Sequence, residues 1–232
     1  LAALELAKAR GAKTYGIVNA VGSSIARMTD AGSYMHVGPE IGVASTKAFT
    51  GATIVLALLA LLLAKDRGTL DEGAYEEMVT SLEKIDVQIA EVLKTEQQIV
   101  EIAQRIKDKD NALFLGRGIL FPVALEGALK LKEISYMHAE GYPAGEMKHG
   151  PIALVEQDFP VVVVATNKEL LEKVISNVQE VKARGALTIG IVREGDTEAK
   201  KIFDYTVEVP NSDELWMPIL SVVPLQLLAY HV

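Results

Sequence analysis

Apolar and polar positions along the chain fall into two rhythms that recur in a fixed order. Leu1–Arg10 has the spacing of an amphipathic helix ending in basic residues, Gly11 stands at its stop, and a short β-branched run follows to Val18. The same grammar returns far downstream. Lys8–Val18 (KARGAKTYGIV) and Lys182–Val192 (KARGALTIGIV) agree at nine of eleven positions, at an offset of 174 residues. The offset carries Asp30 onto Asp204. Each Asp precedes a short extended run, expected over Ser33–Val37 and Tyr205–Val209. Pro39-Glu40 and the Pro210–Glu214 stretch follow, and then a long apolar helix, from Thr46 to Lys65 in the first copy and from Pro218 onward in the second.

A repeated helix–strand–loop–strand–helix unit implies an α/β fold with parallel sheets covered by helices. The second copy has an upstream part. Asn111–Leu115 reads as a strand, Gly116-Arg117-Gly118 as a tight turn, Phe121–Met137 as a helix and Pro160–Thr166 as a fully buried strand. Between the copies, Leu82, Ile85, Ile89, Val92, Ile99, Ile102 and Ile106 recur at helical spacing among charges, which predicts a helical pair over Thr69–Lys109. The expected organisation is therefore a partial first domain over 1–68, a helical connector over 69–109 and a second domain over 110–232. The first copy has no counterpart of the upstream part, and its last helix outruns that of the second. The reading is of two parallel-sheet sandwiches, the first truncated at its N-terminus by about 55–75 residues and the second cut before its tail.

Composition narrows the chemistry. The chain of 232 residues carries 23 Lys+Arg against 31 Asp+Glu, a formal charge of −8 that disfavours nucleic acid as a partner. It has no Cys, so disulfides, thiolate nucleophiles and Cys-ligated zinc are excluded, and a cytoplasmic location is expected. The N-terminus lacks the basic-then-apolar layout of a signal peptide. The apolar run Ala52–Ala64 has 13 residues, short of the roughly 20 that span a bilayer, so a buried core helix and no membrane contact are expected.

The densest polar cluster is Glu126–Gly150. Glu126, Lys130 and Glu133 share a helix face by spacing. A surface salt-bridge ladder accounts for them; so does a carboxylate base, Glu133, beside an ammonium, Lys130, that stabilises negative charge on oxygen. His149 lies in GEMKHGP, read as a loop between Gly and Pro where an imidazole has access to a substrate. His36, His138 and His231 show no metal-ligand spacing, so no metal site is expected. In EIGVASTKAFT (Glu40–Thr50), Ser45 or Thr46 is either an N-cap or a ligand contact at a helix start. Gly116-Arg117-Gly118 is an ordinary strand-to-helix turn or a weak phosphate loop.

EIGVASTKAFT, ALEGALKLKEISYMHAEGYPAGEMKHGPIALV and PLQLLAYHV together resemble, over essentially the whole chain, the isomerase domain of the glutamine–fructose-6-phosphate aminotransferases, a tandem pair of SIS (sugar isomerase) domains. The resemblance implies conversion of fructose 6-phosphate and ammonia to glucosamine 6-phosphate without a cofactor. It implies that Glu133 shuttles a proton between C1 and C2, that Lys130 contacts the substrate, that His149 helps open the sugar ring from a neighbouring subunit, and that Val43 and Ser45 line the sugar site. It further implies a homodimer and a glutaminase domain on the full-length chain. The Ser/Thr-rich phosphate loop is then expected before Leu1 and the Schiff-base lysine beyond Val232. A non-catalytic sugar-phosphate sensor, or a related deglycase or ketose–aldose isomerase, is the competing reading.

Overall fold

The computed structural model describes residues 1–232. It divides into two compact units, Leu1–Glu76 and Glu77–Val232.

The first unit contains helix α1 (Ala2–Ala9), strand β1 (Tyr15–Val18), helix α2 (Ser24–Met28), strand β2 (Ala31–Tyr34) and helix α3 (Lys47–Asp66), followed by the start of α4 (Glu72–Leu82). β1 and β2 form a two-stranded parallel sheet, with Tyr15 opposite Ala31. The extended run expected at Ser33–Val37 therefore begins two residues earlier and ends three earlier. Helix α3 was expected to be a buried core helix, and it is not: Leu61 alone is buried, while Leu56 and Leu62 are each 56% exposed. Two strands and short helices present too little apolar surface to cover twenty residues of Leu-rich helix. By length and composition α3 meets the requirement for a membrane span.

The second unit holds α5 (Ile85–Leu93), α6 (Glu96–Ile106), β3 (Asn111–Gly116), α7 (Phe121–Ser135), β4 (His138–Pro143), β5 (Pro160–Val164), α8 (Leu171–Lys182), β6 (Leu187–Arg193), α9 (Thr197–Ile202), β7 (Tyr205–Val209) and α10 (Met217–His231). The stretch expected as a helical pair is three helices, α4 to α6, broken at Glu83-Lys84 and Lys94-Thr95. Five parallel strands run in the order β4-β3-β5-β6-β7. Alternation along β3 sends Leu113 and Leu115 to one face, where they meet Val161 and Val163 of β5 and Val174, Val178 and Val181 of α8. Phe114 faces the other way, toward α7 and α10. Strand β4 was not anticipated. Its polar alternation, with His138 exposed and Ala139 buried, marks an edge strand, and it was read as part of the polar cluster.

The sequence repeat persists down to single hydrogen bonds. In the first unit the Asp30 carboxylate accepts from the Thr14 amide (2.9 Å) and hydroxyl (2.8 Å), and Lys8 Nζ donates to Asp30 and to the Met28 carbonyl. In the second, Asp204 accepts from the Thr188 amide (2.8 Å) and hydroxyl (2.7 Å), and Lys182 Nζ donates to Asp204 and to the Ile202 carbonyl. Tyr15 pairs with Ala31 as Ile189 pairs with Tyr205, both displaced by the same 174 residues. Each latch ties the end of a helix to the start of two neighbouring strands.

The two Thr14 hydrogen bonds and then that from Lys8 hold the Asp30 carboxyl at about 2. At Asp204 burial pushes upward, but Lys182 and the two Thr188 donors outweigh it and the carboxyl lies below its ordinary value. An unfolded Asp titrates near 3.9, so both latches contribute fully above about pH 4, and each is lost as pH falls through its lowered folded value, about 2 for Asp30. Thermal melts are expected to show Tm dropping through that window. Thr188→Val is expected to flatten the drop, and an unchanged acid limb in that variant would show that the latch contributes nothing.

Candidate functional site

Helix α7 carries the polar cluster. Pro122 in its first turn and a run of Ala, Leu, Glu and Lys favour the helix, and Tyr136 ends it in the left-handed region at φ 63°. Gly127 lets the helix sit low, because a Cβ there would come within 2.6 Å of Leu225 on α10 and 3.0 Å of the Phe114 ring. One turn on, Lys130 is 2% exposed. Its ammonium donates to Glu133 Oε2 at 2.6 Å and lies 3.5 Å from Glu126 Oε1. The Lys130 side chain is 3% exposed, that of Glu126 10% and that of Glu133 30%.

These exposures bear on the two readings left open by spacing. A surface ladder keeps its ammonium in water. Here the cation is buried between two carboxylates, and only Glu133 opens to solvent. Burial pushes the Glu126 carboxyl up; Lys130 pulls it back, and the Glu133 charge adds to the rise. The inner carboxylate holds the ammonium, the ammonium holds the outer carboxylate, and the outer carboxylate is the most exposed of the three.

His149 is not joined to this group by any hydrogen bond or ion pair. The expected loop around it is two 3₁₀ helices, Ala144–His149 and Pro151–Leu154, and His149 is exposed at the end of the first. Arg117 Nη1 reaches Asn177 Oδ1 only at 3.5 Å, and Gly118 takes φ 59°, as the strand-to-helix turn requires.

Val43 and Ser45 belong to the first unit. Val43 is 95% exposed. The start of α3 departs from expectation, because Glu40 supplies the cap. Its Oε1 accepts from the Thr46 amide (3.0 Å) and the Ala48 amide (3.2 Å), and its Oε2 accepts from the Ser45 hydroxyl (3.0 Å). Burial raises the Glu40 carboxyl, but the Ala48, Ser45 and Thr46 donors overcome it and hold it below its usual range. Glu40 lies outside capping-box spacing, so a search for local caps passes over it.

A cleft of about 410 Å³ lined by Glu91, Thr95, Glu194, Glu208, Val209 and Pro210 lies beside α5 and the end of β7. Its three carboxylates disfavour a phosphorylated ligand.

Helix-covered parallel sheets, with a buried ammonium clamped between two carboxylates on α7, define an α/β protein. The chain belongs to the SIS domain family, whose model matches residues 1–62 and 105–232. It is 58% identical, over all 232 residues, to a glutamine–fructose-6-phosphate aminotransferase (isomerizing) of Bacteroides thetaiotaomicron. It covers 38% of that relative, so the chain spans about two fifths of the length of the curated relatives it matches. Among solved structures, the C-terminal domain of glucosamine-fructose-6-phosphate aminotransferase from Francisella tularensis superposes with a TM-score of 0.95 at 41% identity, covering 99% of this chain and 66% of that one. A glucosamine-6-phosphate deaminase from Thermotoga maritima superposes with a TM-score of 0.70 at 27% identity, covering 98% of this chain and 63% of that one.

Proposed function

We propose that this chain is the sugar-phosphate isomerase portion of a glutamine–fructose-6-phosphate aminotransferase, and that it converts fructose 6-phosphate and ammonia to glucosamine 6-phosphate. The observation that carries the reading is the Lys130–Glu133 contact of 2.6 Å with its cation buried and its carboxylate open. Aldose–ketose interconversion moves one proton between adjacent carbons, so a single carboxylate serves both. Glu133 takes the proton from one carbon and returns it to the next. Lys130 stabilises the oxygen that becomes negative as the enediol-like intermediate forms. A sensor of sugar phosphates needs affinity but no such base.

The chain is read as two copies of the SIS unit, 1–68 and 110–232, with 69–109 between them. The repeated Lys–Thr–Asp latches support this. So does α3, whose counterpart α10 is covered by α5, α6 and α7. On this reading β3, α7, β4 and β5, which precede α8 in the second copy, have no counterpart among the residues of the first. The exposed, unengaged His149 fits a role in the site of a second subunit, which makes the assembly a homodimer. A glutaminase domain supplies the ammonia, and the absence of Cys suits the cytoplasm.

The test is product analysis with full-length protein and fructose 6-phosphate, with and without ammonium. Glucosamine 6-phosphate that forms only with ammonium is expected. Glucose 6-phosphate alone would reassign the chain to simple isomerases, and breakdown of glucosamine 6-phosphate with no synthesis would reassign it to the deaminase class. Binding without turnover would leave a sensor.

A further inference from the structure

The same 174-residue offset carries Glu40, the carboxylate that caps α3, onto Glu214 at the carboxyl-terminal edge of the five-stranded sheet. Parallel α/β sheets take their ligands at that edge. In the second unit the place is filled from within. Arg193, at the end of β6, is 4% exposed. Its Nε donates to the Thr166 carbonyl (2.5 Å), its Nη1 donates to the Ser212 carbonyl (2.9 Å), and its Nη2 stands 2.7 Å from Glu214 Oε1. The same Glu214 oxygen accepts from the Lys168 amide at 3.2 Å, in the turn between β5 and α8. The Trp216 indole N–H is buried with no hydrogen-bond partner, as are Ser212 Oγ, Glu214 Oε2 and, despite its nearness to Glu214, Arg193 Nη2.

We propose that this is an oxyanion site plugged by the protein's own carboxylate. A buried guanidinium and a backbone amide at the turn after a parallel strand are the donors that a phosphate or sulfate group uses. Glu214 Oε1 occupies the position where one oxygen of such an ion binds. Glu214 itself keeps 37% of its side chain exposed, so its removal opens Arg193 to solvent without dismantling the sheet. Arg193 Nη2 lies 2.7 Å from Glu214 Oε1 yet makes no well-directed hydrogen bond to it, a donor that a tetrahedral ion satisfies and the carboxylate does not. The second unit thus keeps the framework of a ligand site while its own side chain excludes the ligand. The inference stands on Arg193, Lys168 and Glu214 and does not depend on the reaction proposed for Glu133.

The test compares wild type, Glu214→Ala and Glu214→Ala with Arg193→Gln in the full-length protein, titrated with inorganic phosphate at constant ionic strength. Calorimetry is expected to give one more phosphate per chain for Glu214→Ala than for wild type, and no extra phosphate for the double variant. At ten times its Kd, phosphate is expected to raise the Tm of Glu214→Ala by roughly 3–6 °C more than that of wild type. Phosphate bound in a sugar-phosphate site elsewhere adds equally to all three proteins and cancels. If Glu214→Ala is insoluble in chloride, recovery in phosphate is expected, and equal insolubility in both overturns the proposal. Unchanged stoichiometry in Glu214→Ala, or a phosphate already seated on Arg193 in the wild type, also overturns it.

Discussion

Glu133→Gln in the full-length protein is expected to lower glucosamine 6-phosphate formation by about a hundred- to ten-thousand-fold. The KM for fructose 6-phosphate is expected to stay within about threefold, because the amide keeps the shape of the side chain and removes only the base. The amide oxygen still accepts from Lys130, so Tm changes little. The His149 assignment is tested with the same variant. If His149 acts in a neighbouring subunit's site, Glu133→Gln and His149→Ala are each defective as homodimers. Mixed and allowed to exchange, they form a heterodimer in which one site pairs an intact Glu133 with an intact His149. Random exchange then restores about a quarter of wild-type activity. Full turnover in Glu133→Gln removes the base from the mechanism. No recovery on mixing, with exchange verified by mass, places His149 in its own chain's site or outside catalysis.

Lys130→Met carries the second large effect, on stability and rate together. Methionine fills nearly the same volume but leaves Glu126 and Glu133 facing each other without their cation. Removing one partner of a buried ion pair costs about 3–5 kcal/mol. The partial exposure of Glu133 places the loss nearer about 2–3 kcal/mol. The loss depends on pH. With Lys130 gone, burial acts on Glu126 unopposed and its carboxyl rises further. A carboxyl raised in the folded state is tolerated below its unfolded pKa, near 4.3, and costs stability as pH climbs through the folded value. The gap in Tm between Lys130→Met and wild type is therefore expected to widen from pH 4 to pH 8. A constant gap would mean that lost packing, not exposed charge, is responsible. Turnover is expected to fall by about a hundred- to a thousand-fold at any pH where the variant stays folded, since the oxygen-stabilising cation is absent.

The repeat was legible because it is covalent: eleven residues with nine matches carry their register wherever they fold. That register placed Asp30 and Asp204 together, and it marks Ala31 as the start of β2 more accurately than local β-propensity, which drew the strand toward Val37. The spacing of Glu126, Lys130 and Glu133 was equally plain, since a helix face follows from counting. Their burial was not, because it depends on how low α7 sits against α10 and β3. The burial of α3 was misjudged for a related reason: composition reports what a helix prefers to touch, not what is there to touch it. Glu40 and Glu214 were missed because their partners lie in other turns or strands. Arg193 is 21 residues from Glu214, and only the fold closes that distance.

Gly127 gives the α7 site an unusual dependence. No loop lies between it and Lys130, so no flexible segment absorbs a shift. The carboxylate and the ammonium are rigidly coupled to the packing behind them. A single added methyl at position 127 would lever the whole turn outward and misalign the Lys130–Glu133 pair without touching either residue. The tolerance of this centre to mutation is therefore governed from its back, by the bare surface that lets one helix lie against another.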